Sequence, residues 1–170
     1  MGKTFMEALW KAMQNETETD TLICQVQAMK EIIDEIGHGF MNQEALDALA
    51  KHLIDMYHKS DQRIRENNDL AHKEIEDEDD KLEDDDLEII KEENKNEYDL
   101  QLSLAEIIGI IFKTHKDLAM NLVSELFTNI LPGALNNEEK EKQKFALFVL
   151  DDMVEFLGPQ GLGAQFNGVA

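Results

Sequence analysis

At 170 residues with 42% hydrophobic content, the chain has material for one domain with a real core rather than a disordered polymer. Its net charge of −21 repels phosphate backbones and anionic lipid heads, which excludes nucleic acid and membrane surfaces as direct partners and favours a basic protein. With only 2 prolines and 9 glycines among abundant Leu, Met, Ala, Glu and Lys, the composition predicts an all-α chain.

The first helix runs from about Thr4 to Gln14, with Phe5, Leu9 and Met13 at four-residue spacing and Met6 and Trp10 beside them. Thr17 with Asp20 resembles a capping box for a second helix, whose stripe is Leu22, Val26, Met29, Ile33 and Ile36, before Gly37-His38-Gly39 ends it. Cys24, the sole cysteine, falls within this apolar pattern and reads as a buried structural thiol in a reducing compartment. Asn42 can cap a third helix carrying Leu46, Leu49, Leu53, Met56 and Tyr57. A thin apolar line of Ile64, Ala71 and Ile75 lets that helix continue outward to about Asp77, projecting roughly 50 Å in all.

Apolar periodicity resumes in a fourth helix, capped near Asn96, through Leu100, Leu104, Ile107, Ile108, Ile111 and Phe112 to about His115. The fifth holds Leu118, Leu122, Leu126 and Ile130 and stops at Pro132-Gly133. Asn136 with Glu139 reads as a capping box opening the sixth, with Phe145, Phe148, Val149, Met153 and Phe156, ended by Gly158-Pro159.

Pairing consecutive helices gives units at about 4–37, 42–115 and 117–158, with 159–170 reading as the truncated start of another. The first interval, about 39 residues, suits HEAT or armadillo repeats, which require neighbours to bury their faces. The expected architecture is an α-solenoid of about three antiparallel helix pairs in a right-handed superhelix, a piece of a longer array. The middle unit is roughly 30 residues too long, and the surplus is an acidic insertion at about 63–96.

Between Glu66 and Asp99 there are 17 acids against 4 lysines, densest at 76–86, EDEDDKLEDDD. Three readings present themselves: a cation site, a solvated spacer, or a contact for a basic partner. An EF-hand alignment with Asp77, Asp79 and Glu88 at its first, third and twelfth positions puts Lys81 at a ligand position and Leu82 where the turn glycine belongs, which argues against calcium. The candidate protein-binding acids are therefore Glu76, Asp77, Glu78, Asp79, Asp80, Glu83, Asp84, Asp85 and Asp86, together with Asp151, Asp152 and Glu155 on the sixth helix. For the latter three the alternative is a solvated helix face. The 5 histidines show no metal-ligand spacing and read as surface or loop residues.

The segments FMEALWKAMQNETETD, LAEIIGIIFKTHKDLAMNLVSELFTNILPGAL and above all KQKFALFVLDDMVEFLGP, with the acidic insertion between them, resemble the beta-karyopherins, the importin-beta superfamily of nuclear transport receptors, most closely its importin five branch. The resemblance covers nearly the whole chain, its last segment through an aromatic-rich helix with the Asp151-Asp152 pair shortly before a terminal Gly-Pro. It implies a superhelical receptor that binds basic cargo proteins and the GTP-bound form of the GTPase Ran, contacts phenylalanine-glycine nucleoporins, and shuttles between cytoplasm and nucleus. It also implies that the second helix of each pair lines the concave face, and it brings no catalytic motif and no cofactor. The rival architecture-level reading is a HEAT scaffold of a non-transport complex in which the acids only solubilise a spacer. An enzyme is the weakest reading, because no nucleophile constellation, metal spacing or paired carboxylate in an apolar setting is found.

Overall fold

The computed structural model describes residues 2–39, 41–76 and 84–158, with side chains described for 8–39, 41–72 and 85–158. All regular structure there is helical: α1 (Gly2–Asn15), α2 (Thr19–Ile36), α3 (Gln43–Glu76), α4 (Asp84–Thr114), α5 (Met120–Asn129), α6 (Leu131–Leu135) and α7 (Lys140–Asp152). A 3-10 turn at Lys116–Leu118 joins α4 to α5, and α7 widens into a π turn at Met153–Leu157.

The helices lie in two layers. α2, α4 and α7 pack side by side in that order, while α1 and α5 flank α3 in the second layer, α1 through Trp10, whose ring lies 5.1 Å from that of His52. Each second-layer helix is joined to the first-layer helix that follows it, so the fold is an all-α solenoid of HEAT-like pairs, as the spacing of the stripes predicts. Leu22, Val26, Met29 and Ile33 of α2 meet Leu104, Ile107, Ile108 and Ile111 of α4 in the core, with Leu46, Leu49, Leu53, Leu122, Leu126, Phe145 and Val149 completing it. Cys24 is exposed, correcting the expectation of burial: two residues from Leu22, it falls on the far side of the helix from the stripe.

The helix ends are built partly as expected. Asn42 caps α3, its Oδ1 accepting the Ala45 N–H at 2.9 Å. Gly37 closes α2 at φ +71, donating its N–H to Ile33 O. Neither capping box forms: the Glu16 carboxylate takes the Thr17 and Glu18 amides, and Asn137 Oδ1 takes that of Glu139. Pro132-Gly133 does not end the fifth helix but lies within α6, where proline at the first turn needs no amide partner.

At the acidic stretch one expectation holds and one fails. α3 spans 34 residues, about 50 Å, and so continues outward through 63–76 as the thin apolar line predicts. α4 is the departure: it spans 31 residues, about 46 Å, and Asn96 lies inside it rather than capping it, so 84–96 are regular helix instead of a spacer. The outer halves of α3 and α4 run antiparallel as a hairpin, an arm in which Ile64 is fully buried. The expectations for Asp77, Glu78, Asp79, Asp80, Lys81, Leu82, Glu83 and 159–170, and for the side chains of Phe5, Met6, Ile75, Glu76 and Asp84, lie outside the described residues.

Candidate functional site

The arm rests on two polar clasps. Facing α2, the Arg63 guanidinium forks onto Glu97 (Nε–Oε1 2.7 Å, Nη2–Oε2 2.8 Å), and Glu97 Oε1 also accepts the Thr19 hydroxyl at 2.6 Å. A bidentate arginine pair fixes orientation as well as distance. Just inside it, Gln101 Nε2 donates to Ser60 Oγ, which donates to Glu97 O, both at 3.2 Å in buried surroundings.

Facing α7, Lys142 is only 4% exposed, with its Nζ 2.6 Å from Asp61 Oδ1 and 3.1 Å from Glu139 Oε2. The Asp61 contact has ion-pair distance without hydrogen-bond geometry, so charge rather than a directed bond holds it. Asp61 Oδ2 is taken by Arg65, and Glu139 accepts the Tyr98 hydroxyl at 2.9 Å. Burial, reinforced by the bond to Glu139, pushes the Tyr98 phenol well above its ordinary range. Tyr57 stacks on Phe145 at 4.6 Å beneath this network.

Beyond the clasps the hairpin is zipped by amides: Asn67 donates to Asn94 Oδ1 at 3.0 Å and to Glu93 at 3.3 Å, and Asn94 donates to Asn68 Oδ1 at 2.8 Å. Outside this seam Glu66, Asp69, Asp85, Asp86, Glu88, Glu92 and Glu93 are exposed; Glu66 accepts from Gln62 and Glu93 from Asn67, and none forms an ion pair with a lysine or arginine among the described side chains.

The other predicted acids lie elsewhere. Asp151 and Glu155 are exposed on α7 and its π turn, and Asp152 is half-buried against α4. Its carboxylate lies over Gly109, where a Cβ would come within 2.0 Å of Oδ2. Burial pushes the Asp152 carboxyl above its ordinary value, and the nearby Asp151, Glu155 and Glu106 push the same way. Between Asp84 and Gly109 α4 rises about 38 Å, so the two acidic sets are not one site. Neighbouring acids on the same layer are tied down: Glu106 pairs with Lys30 at 2.8 Å and Asp34 with Lys113 at 2.7 Å.

On the opposite layer, a groove of about 600 Å³ separates α3 from α5, with Ala50, Ile54 and Leu122 at its floor and Asp47, Asp55 and Glu125 at its rim. His115 is a loop residue, one of the two settings expected for the histidines, and it is buried. Its Nε2 accepts the Met41 N–H at 3.3 Å and Nδ1 donates to Thr114 Oγ1, pinning the α2–α3 loop to the end of α4. This tautomer follows from the Thr114 hydroxyl donating to Ile110 O. No group of described His, Cys, Asp or Glu side chains is placed to hold a metal ion, and no described helix is long and apolar enough to cross a membrane.

Lys142 and Glu97 stand out as charges at stripe positions, three residues before Phe145 and before Leu100. That is the one signal by which sequence could have found the clasps. Residues 21–132, about two thirds of the chain and including both arm helices, match the family described as importin repeat 6. The chain belongs to the importin repeat 6 family. This family builds transport-receptor scaffolds and is not an enzyme family, so the importin repeat is part of a karyopherin-type transport receptor. None of the curated proteins matches the chain.

Proposed function

We propose that this importin repeat is part of a nuclear import receptor of importin five type, built of pairs at about 4–37, 42–115 and 117–158, that shuttles between cytoplasm and nucleus. It recruits basic segments of cargo, or of Ran in its GTP form, to two separate acidic sets: the run of Glu76, Asp77, Glu78, Asp79, Asp80, Glu83, Asp84, Asp85 and Asp86, and the group of Asp151, Asp152 and Glu155. The α3–α5 groove is where an apolar nucleoporin side chain would lodge between neighbouring helices.

The observation that carries this reading is the importin repeat 6 match running through both arm helices, which makes the arm part of a transport receptor rather than a foreign insertion. The field of 17 acids against 4 lysines between Glu66 and Asp99 supports the choice of ligand. The test is binding of GTP-loaded Ran and of a lysine-rich cargo peptide to the wild type and to the Asp84→Ser, Asp85→Ser, Asp86→Ser variant. Affinity should fall steeply with salt and about tenfold in the variant. Salt-insensitive binding that ignores the substitutions removes the arm from recognition.

A further inference from the structure

Along the α2-facing side of the arm the side chains form a ladder whose rungs can be followed outward from the base. The first is Arg63 with Glu97, the second Asn67 with Glu93. One turn farther out, Leu70 lies three residues past Asn67 on α3 and Ile89 four residues before Glu93 on α4. Helical spacing keeps each on the side of the residue below it, so the third rung is a pair of aliphatic side chains. Leu70 is 52% and Ile89 55% exposed, although the same helices half-bury Ala71, Leu87 and Ile90 in the seam between them. Exposed acids surround the rung: Glu93 below, Asp85 and Asp86 above, Glu66 and Asp69 beside it.

Leu70 and Ile89 keep about half of their surface open although the seam of the hairpin is already filled by Ile64, Asn67, Asn68, Ala71, Leu87, Ile90 and Asn94, so closing the hairpin does not use their exposed faces. We infer that the Leu70/Ile89 face is a docking surface for a short basic amphipathic helix, whose apolar side chains cover the rung and whose lysines or arginines reach the acids on both flanks. This inference rests on the reading that the arm recruits basic segments, and it names the form of the ligand. A docked helix would lie as a third member against the hairpin, the geometry in which helices with one narrow apolar stripe bury it. Charge selects the occupant. A second copy of the arm would set Glu93, Asp85 and Asp86 against their own kind, and lipid or nucleic-acid phosphates meet the same repulsion. Only a cationic protein segment satisfies both the apolar rung and its rim.

Contact with Leu70 and Ile89 supplies a part of the affinity that salt does not screen, which a purely electrostatic ligand lacks. The test uses two synthetic peptides of equal positive charge, an amphipathic leucine-lysine helix and an oligolysine, measured by fluorescence anisotropy against the whole chain at low salt and at about 0.5 M salt. The amphipathic peptide should bind about tenfold tighter and keep measurable affinity at high salt. The Leu70→Ser, Ile89→Ser variant should lose that advantage while binding oligolysine as the wild type does. Both positions are exposed, so the variant should keep its helicity and melting temperature. Equal affinity of the two peptides, or an amphipathic advantage that survives both serines, overturns the inference and leaves electrostatic recruitment standing. Failure of both peptides to bind removes the recruitment reading itself. Loss of self-association in the variant with unchanged peptide binding overturns the inference in favour of a second copy.

Discussion

Replacing Lys142 with methionine keeps the unbranched stem among its neighbours and deletes only the charge. In the native fold that charge is 4% exposed and lies 2.6 Å from Asp61 and 3.1 Å from Glu139, so its loss leaves two carboxylates facing a closed seam between α3 and α7. Breaking a fully buried pair costs about 3–5 kcal/mol. Asp61 keeps Arg65 on its second oxygen, and Glu139 keeps Tyr98 and is one third exposed, so the expected loss is at the low end, about 2–3 kcal/mol. Asp61→Asn leaves the buried lysine with Glu139 as its one remaining carboxylate and should lose a similar or smaller amount, whereas the double variant removes both charges of the closer pair and should recover part of it, giving a coupling of at least about 1 kcal/mol. Urea unfolding followed by far-ultraviolet circular dichroism measures all four proteins. If Lys142→Met loses less than about 0.5 kcal/mol, or the two substitutions add without coupling, the clasp does not hold α7 to the arm.

Thr19→Val keeps the shape of the side chain but removes the hydroxyl that Glu97 accepts at 2.6 Å, and it should cost about 1–2 kcal/mol in the same assay. Gly109→Ala should be tolerated, because the intruding atoms belong to the end of the Asp152 side chain, which can rotate outward; in an Asp152→Ala background the same change should stabilise by about 1 kcal/mol, the helix-interior gain of alanine over glycine. Burial, with His38 adding to it, holds the His115 imidazole below its ordinary value, and His52 is lowered likewise by burial and then by Lys59. The folded state then binds fewer protons than the unfolded chain below about pH 6.5, so stability should fall on acidification through that window and be flat above it. A melting-temperature series against pH checks this, and His115→Gln, which can still accept the Met41 amide, should flatten the slope.

What was legible in sequence is what repeats every three or four residues. The stripe of Leu22, Val26, Met29 and Ile33 predicts α2 because each member is buried against one partner helix, and Asn42 is readable as a cap because its side chain acts three residues away. The arm shows the limit. A two-helix hairpin buries so narrow a seam that Ile64, the half-buried Ala71, Leu87 and Ile90 and three asparagines suffice, and such a pattern cannot be told from a solvated charge run by periodicity alone. Asn96 reads as a cap only because apolar periodicity begins after it; the turns before it are helical because their partner is another thin helix. Among the candidate acids with described side chains, Asp152 alone meets a packing constraint, and that constraint, Gly109, lies more than 40 residues away in sequence. Cys24 reverses its expected burial, and the burial of the loop residue His115 was not legible, for the same reason: which side of a helix a lone residue takes, or whether a loop folds over it, depends on partners that local spacing does not name.

The clasps explain why an arm of this composition can stand away from the solenoid at a defined angle. Like charges along Glu66, Asp69, Glu88, Glu92 and Glu93 push the two helices apart, and the outer seam has little apolar area with which to resist. The two charged networks at its base act where the dielectric is lower than around the exposed acids farther out, and each joins both arm helices to a different neighbour, α2 through Thr19 and α7 through Lys142. Removing one clasp should therefore let the arm swing on the other rather than melt. A ligand gripping the acids would then meet a base fixed on two sides, and the orientation of the acids, set by Arg63 and Lys142 far from the tip, becomes part of what the receptor recognises.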